Sequence, residues 1–242
     1  MYSKPMFLAL FIVLLFIGPA NAQTAALDTP VYSNAAMRVI DQYKAALSDE
    51  LEIFNGPIYR LWPQAYRGSA YFDEKTHCTP SLVRYNGTWY KDIPVIYDIY
   101  TDVMVAAAKD SLFVLQAEKI TDVWLLDHHF LYINSKSSAN LKPGFYDQLY
   151  DGKSRVLVKR VRTIENNITQ QTVSTIYENK EVIYIKKGNN YYPVNSKGSV
   201  LEVFKEKKKA LGQYLNENKI KYNSDKEGSI VKLAVYYDQI NN

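Results

Sequence analysis

The stretch VWLLDHHFLYI, residues 123–133, decides the fold of this chain. Two apolar runs, 123–126 and 130–133, flank the polar triplet Asp127-His128-His129. Short runs rich in Val, Ile, Leu and aromatic residues are typical of strands, and a brief polar break between them predicts a tight turn. Asp and His adopt positive φ at modest cost, so Asp127 and His128 are predicted to form the bend of a β-hairpin.

The same triplet has a second interpretation as part of a metal site, of the kind found in one group of phosphoesterases. Such a site needs further Asp or His ligands from other segments. The chain contains three His in all, His77, His128 and His129. No second Asp-containing motif of that group occurs, and its fold is a parallel sheet, which the flanking pattern does not favour. The sequence therefore favours the hairpin and predicts neither a metal nor another cofactor.

Strand signals continue on both sides of this hairpin, over about residues 69–195. Asn86-Gly87 is the strongest short hairpin signal of the chain, and Asp151-Gly152 and Gly188-Asn189 are similar. A single alternating strand is predicted over 95–105. Strands joined by such tight turns are antiparallel. The middle of the chain is therefore predicted to be a mainly antiparallel sheet or a partly closed barrel.

Helical patterns flank the β region. Apolar residues on one face predict a helix over 34–47, namely Ala36, Val39, Ile40, Tyr43 and Leu47. Further on, Ser199-Val200-Leu201-Glu202 and Ser224-Asp225-Lys226-Glu227 have the form of helix capping boxes. The predicted fold class is α+β. Residues 23–195 form an N-terminal helix plus the β domain, and residues 196–242 form a C-terminal helical unit packed on it.

The N-terminus has the composition of a secretory signal peptide. Lys4 precedes the unbroken apolar run 6–17, and Ala20-Asn21-Ala22 supplies the small residues that a signal peptidase reads. Cleavage is predicted after Ala22. The apolar run is shorter than the roughly 18 residues that span a bilayer. We therefore expect an exported protein, periplasmic or extracellular, without a transmembrane segment in the mature chain.

Aromatic residues near the predicted turns are the candidate ligand contacts. They are Trp62, Tyr66, Trp89 and Tyr90, with Tyr71 close by. Exported proteins often stack sugars or peptides on such side chains, whereas many tyrosines of β proteins simply cover half-exposed strand faces. Both interpretations stay open at these positions, and the first predicts a glycan or an envelope protein as the partner.

Charged residues offer two further candidates. Asp98, Asp102 and Asp147 have the chemistry of acid/base groups, but their spacing does not pair them. Residues 197–232 hold nine Lys and five acidic residues, which predicts a solvated helix face or a weak contact with an anionic membrane surface. This segment lacks Arg, the side chain best suited to phosphate, and exported proteins seldom meet nucleic acid, so no nucleic-acid partner is predicted.

Five segments resemble a family of uncharacterised exported proteins of Gram-negative bacteria. The resemblance covers most of the chain from about residue 53 and implies a periplasmic or surface setting, but no activity, cofactor or catalytic residue. The segments are Ile53-Phe54-Asn55-Gly56-Pro57, Tyr97-Asp98-Ile99, Pro143-Gly144-Phe145-Tyr146, Leu149-Tyr150-Asp151-Gly152-Lys153 and Val235-Tyr236-Tyr237-Asp238.

Export, Tyr-rich strands and the lack of an assembled catalytic motif together predict a non-enzymatic binding module of the envelope. A carboxylate-dependent hydrolase acting on envelope polymers is the competing prediction, and a purely structural envelope protein is the third. Two buried carboxylates facing each other in a cleft would favour the hydrolase. An exposed aromatic surface would favour the binding module, and the lack of any ligand-sized pocket would favour the structural role.

Overall fold

The structure is a computed structural model, and it describes residues 52–62, 67–134, 140–168 and 173–241. The strands in these ranges are β1 Thr79–Tyr85, β2 Thr88–Asp98, β3 Val103–Ala108, β4 Ser111–Val114, β5 Ile120–Leu125, β6 His128–Ile133, β7 Gly144–Tyr150, β8 Val156–Ile168, β9 Val173–Lys187 and β10 Asn190–Val194. The α-helices are α1 Lys197–Val203, α2 Lys208–Glu217 and α3 Lys226–Ile240. The predicted signal peptide and the predicted helix over 34–47 lie outside the described residues.

All ten strands belong to one sheet, in the order β10-β9-β8-β7-β6-β5-β1-β2-β3-β4. Every pairing between neighbours is antiparallel. The sheet is open, with β10 and β4 at its two edges. The prediction of an α+β fold dominated by an antiparallel sheet is therefore confirmed, in its open form rather than as a partly closed barrel.

The 123–133 stretch forms the β5–β6 hairpin, with Leu125 paired to His128 across the turn. Its bend lies one residue earlier than predicted. Leu126 and Asp127 make the turn, and Leu126 takes the positive φ of 55°. His128 already belongs to β6, so the prediction that His128 forms the bend is wrong. This shift matters because successive strand residues point to opposite faces, which sends the two histidine rings to different sides of the sheet.

The prediction of a single strand over 95–105 is also wrong. The chain turns between Asp98 and Val103, and β2 and β3 pair on either side of this turn. The cause is a side chain that competes with the strand ladder: the Asp98 carboxylate accepts hydrogen bonds from the backbone N–H groups of Tyr100 and Thr101. Asp102 then adopts a positive φ of 60°, which suits Asp better than most residues.

Two main clusters of buried side chains stabilise the fold. The first fills one side of β1, β2, β5, β6 and β7, around Val83, Tyr97 and Phe130. The second lies between β8–β10 and the helices, around Ile183 and Phe204. Strand β7 contributes to both clusters, through Phe145 to the first and through Leu149 and Tyr150 to the second. All described residues belong to one compact unit, 44–242.

The helices begin at polar caps close to the predicted ones. Ser196 caps α1 through a reciprocal pair of hydrogen bonds with Ser199, so the predicted Ser199–Glu202 box is displaced by three residues. Asp225 caps α3 by accepting from the N–H of Gly228. Among the described residues, none of the helices has the length and apolar character that would let it cross a membrane.

Candidate functional site

The buried Tyr97 has Asp102 beside its hydroxyl, while Asp98, the next residue of β2, points to the opposite side of the sheet. The Tyr97 hydroxyl donates to Asp102 Oδ1. Burial raises the pKa of Tyr97 well above its ordinary value, and the charges of Asp102, Asp98 and Asp147 raise it further. The charges of all three candidates therefore act on Tyr97, but Asp98 lies on the other side of the sheet from Asp102 and Asp147.

Asp98 is a structural carboxylate. Its side chain is fully buried at the end of β2. Oδ2 accepts from the Tyr59 hydroxyl at 2.7 Å, from Trp62 Nε1 at 2.8 Å and from the Thr101 hydroxyl at 2.6 Å. Oδ1 accepts from the two backbone N–H groups of the β2–β3 turn. A carboxylate with this many donors is stabilised as an anion and has little capacity left for a substrate.

Asp102 forms an ion pair with Lys159 of β8, with 2.6 Å between Nζ and Oδ2. Lys159 also donates to the carbonyl of Phe145 at 2.9 Å. Burial lowers the pKa of Lys159, while Asp102 acts in the opposite direction. The pair lies directly against Gly144, where an added Cβ would stand 2.2 Å from Asp102 Oδ2. This close packing explains why residue 144 is a glycine.

Asp147 belongs to β7 and is almost completely buried. Its Oδ2 accepts from Arg160 Nε at 2.9 Å and lies 2.7 Å from His128 Nδ1. Arg160 continues outward to Glu227 of α3 at 2.9 Å, so the group joins the sheet to the helices. The ring of Phe72 meets the His128 ring edge-on, with 4.8 Å between centroids.

No donor among the described residues is shared by two of these three carboxylates. Each has its own partners: neutral donors at Asp98, Tyr97 and Lys159 at Asp102, and Arg160 and His128 at Asp147. These carboxylates are therefore individually paired polar groups rather than two carboxylates facing each other across a cleft.

The opposite, solvent-facing side of the same strands carries a different set of side chains. We call the surface formed by Arg84, Trp89, Asp122, Trp124 and His129 the outer aromatic face. Cross-strand pairing brings these residues together: Trp89 pairs with Arg84, Arg84 with Asp122, and Trp124 with His129. Because each pair lies directly opposite on neighbouring strands, their side chains emerge on one face.

Trp124 is the most prominent residue of this face. Its side chain is 46% exposed, and its ring lies parallel to that of His129, with 4.2 Å between centroids and 3° between planes. His129 is itself fixed, because Nε2 lies 3.0 Å from Asp122 Oδ1 and Nδ1 lies 3.2 Å from Gln148 Nε2. These contacts fit the tautomer with its proton on Nε2. Trp124 is therefore an exposed apolar ring that stacks on His129, and the hydrogen bonds of His129 fix its position.

Trp89 is the second exposed ring of this face, at 40%. The Arg84 guanidinium carbon lies 5.7 Å from its ring centroid, within the range of a cation–π contact. Arg84 also lies 3.9 Å from Asp122, in a loose ion pair. The guanidinium thus lies between the Trp89 ring and the Asp122 carboxylate.

A pocket of about 290 Å³ adjoins this face beyond Asp122. Apolar and polar groups are mixed in its lining, which includes Thr121, Asp122, Leu131, Ile133, Arg155 and Tyr191. Pockets of this size hold small ligands when a few polar groups converge on them. Asp122 is therefore shared between the outer aromatic face and the neighbouring pocket.

The residues predicted to contact a ligand lie in different environments. Trp89 lies on the outer aromatic face, whereas Tyr90 points inward and packs beside Tyr85, where burial raises its pKa. Trp62 is half-buried, bonded to Asp98 and edge-on to Tyr100. Tyr66 lies outside the described residues. The three described residues do not form one surface, because Trp62 is near the end of β2 and Trp89 near its start.

Trp124 and His129 were missed as ligand candidates. The sequence does contain a signal for them, since Asp122 and Trp124 alternate with the buried Val123 and Leu125 along β5. This alternation predicts that Trp124 faces solvent. The position of His129 beside it depends on the hairpin register, which the displaced bend changes.

Within the described ranges, no group of three or more His, Cys, Asp or Glu side chains is placed to hold a metal ion. Comparison of the chain with family models, with curated proteins and with solved structures finds no match. The resemblance to exported Gram-negative proteins therefore stays a prediction.

Proposed function

We propose that this chain is an exported binding module of the bacterial envelope, without catalytic activity of its own, whose ligand contacts the outer aromatic face. Exposure of Trp124 is the observation that carries the proposal. Exposed apolar rings that cluster on one face, as Trp124 does with Trp89, are typical of a binding surface. The stacked His129 keeps the ring in place, which lowers the entropy lost on binding.

The proposed location, periplasmic or extracellular, is supported by the apolar run 6–17 and the small residues before position 23. The Lys-rich segment 197–232 is proposed to contribute at most a weak contact with anionic lipid. Its exposed lysines are interspersed with glutamates, and Lys187 and Lys226 pair with Glu206 and Glu181.

The test is capture of envelope components by immobilised protein, scored by amount bound. We expect wild type to retain a defined component and Trp124→Ala to lose most of it. Tyr192→Ala is the matched control, because Tyr192 is a comparably exposed aromatic residue, at 42%, whose side chain alternates with that of the pocket residue Tyr191 along β10 and faces the other side of the sheet. Equal capture by Trp124→Ala and wild type would remove the outer aromatic face from the account.

A hydrolase is the second candidate, and one contact favours it. The buried Asp147 carboxylate orients the His128 ring through Nδ1, while the His128 side chain is 33% exposed. This is the arrangement of a general base held by a carboxylate. Hydrolysis of envelope polymers that disappears in His128→Gln while Trp124-dependent capture persists would support the hydrolase. The absence of such activity in wild type would favour the binding module.

A further inference from the structure

The two exposed tryptophans of the outer aromatic face are separated by a defined step. Trp89 pairs with Arg84, and Arg84 pairs with Asp122, so two strand spacings lie between Trp89 and Asp122. Trp124 is two residues further along β5. With about 4.8 Å between strands and 3.4 Å per residue, the Cα atoms of Trp89 and Trp124 are about 12 Å apart. This span is comparable to the separation of alternate rings in an extended sugar chain.

Arg84 lies between the two rings with donors to spare. A guanidinium has five N–H groups. The contacts of the Arg84 side chain with other described residues are the cation–π contact to Trp89 and the 3.9 Å ion pair to Asp122, which is longer than a hydrogen bond. The middle of the surface therefore offers directed donors to an oxygen-rich ligand.

An extended peptide fits this surface poorly. Peptides that bind sheets usually add a strand to an unpaired edge. Strands β1, β2, β5 and β6 are each paired on both sides, and the sheet edges are β10 and β4. The ligand of the outer aromatic face must therefore be recognised by stacking and by side-chain hydrogen bonds, without backbone pairing.

Building on the proposed function, we infer that the ligand is an extended saccharide chain of about three or more sugar units, sized to the cross-strand step between the tryptophans. One unit stacks its C–H face on Trp89 and a second stacks on Trp124. The unit between them presents oxygen acceptors to Arg84. The pocket beyond Asp122 receives the continuation of the chain.

The test is titration of the full chain with β-linked oligomers of glucose, of N-acetylglucosamine and of a uronic acid, followed by tryptophan fluorescence and calorimetry. Affinity is expected to rise about tenfold or more from dimer to trimer in at least one series, because a single further stacking contact is worth about one such step. Trp89→Ala and Trp124→Ala should each remove this step. Tyr192→Ala should bind like wild type.

Arg84→Gln separates neutral from acidic sugars. A loss confined to the uronic acid series assigns a carboxylate to the middle unit, and an equal loss in the neutral series assigns hydroxyls. Affinity that does not depend on oligomer length, or a length step that both tryptophan variants retain, overturns the inference. Trp124-dependent capture from the envelope without binding of any oligomer also overturns it, but leaves the proposed function standing with a protein partner.

Discussion

Buried carboxylates have two different roles at the scale of single residues. Asp98 is an anion surrounded by neutral donors, among them the Tyr59 hydroxyl and the indole of Trp62. Asp147 is balanced by the cation of Arg160, which also reaches Glu227. The first arrangement fixes a turn and the second joins the sheet to a helix. In both, removing a partner leaves a polar group buried without compensation, which is more costly than the contact itself.

Asp98→Asn should destabilise the protein by about 3 kcal/mol, because an amide N–H₂ would then face groups that are themselves donors. Urea unfolding measures the effect. Asp127→Asn, at an exposed turn position, is the control and should change the free energy of unfolding by less than about 0.5 kcal/mol. Equal effects in the two variants would contradict the hydrogen-bond network assigned to Asp98.

Glu206 makes stability depend on pH. Hydrogen bonds from Lys187 and then from the Tyr237 hydroxyl lower the pKa of Glu206 from 4.5 to about 2. A carboxyl group whose pKa is lower in the folded state contributes stability above its unfolded pKa, and this contribution disappears as the pH falls from about 5 towards 2. The side chain is 40% exposed, so solvent screening reduces the contribution to about 1 kcal/mol.

Glu206→Gln should therefore be less stable than wild type by about 1 kcal/mol at pH 7, and the difference should vanish near pH 2. Urea unfolding at a series of pH values measures it. Glu217→Gln, at an exposed position of α2, should show no such trend. A difference for Glu206→Gln that grows on acidification would reverse the sign of the assigned coupling.

At the scale of elements, hairpins were predictable where backbone chemistry is local. Asn86-Gly87 has positive φ at both residues, as its sequence requires. The division of residues 95–105 into two strands was not predictable, because the alternation of apolar and polar residues continues through the turn. Only the hydrogen bonds of the Asp98 side chain interrupt the strand there. The carboxylates were recognised as candidates, but partners such as Lys159 for Asp102 and Tyr59 for Asp98 are far away in the sequence. Periodicity carries no information on such distant contacts.

Two glycines differ in the space around them: Gly144 is closely packed, whereas Gly212 has open space beside it. Gly144→Ala at the start of β7 should cost about 3 kcal/mol, because its φ of 145° is unfavourable for alanine and the new Cβ meets the Asp102–Lys159 pair. Gly212→Ala in α2 should stabilise by about 1 kcal/mol, since nothing lies within 4 Å of its Cβ position. Thermal unfolding of both variants is the measurement, and destabilisation by Gly212→Ala would contradict the packing of α2.

At the scale of the whole molecule, the two clusters of buried side chains meet at strand β7. The chain has three tryptophans, Trp62, Trp89 and Trp124. Trp89 belongs to β2, Trp124 belongs to β5, and Trp62 is bonded to Asp98 at the end of β2, so all three are in the half of the sheet that contains β1, β2 and β5. The helices pack against the other half of the sheet, formed by β8–β10. Tryptophan fluorescence therefore reports on the half of the sheet around the first cluster, and the helical part of the far-UV circular dichroism reports on the second cluster. Strand β7, which contributes to both clusters, should make their unfolding cooperative.

Phe204→Ala tests this coupling. Phe204 is fully buried and stacked on Tyr237, with 4.0 Å between centroids. Its truncation should cost about 3–5 kcal/mol. If the cores unfold together, the fluorescence and dichroism transitions shift by the same amount. A dichroism transition that moves alone would show that the helical layer unfolds independently of the sheet.

Hydroxyl-radical footprinting of the full chain, with and without a soluble envelope glycan fraction, tests the central claim most directly. If the outer aromatic face is the ligand surface, the glycan fraction suppresses modification of Trp89 and Trp124 and leaves Tyr192 unchanged. Protection of Tyr192 or of the helices, with Trp124 still fully reactive, would contradict the account.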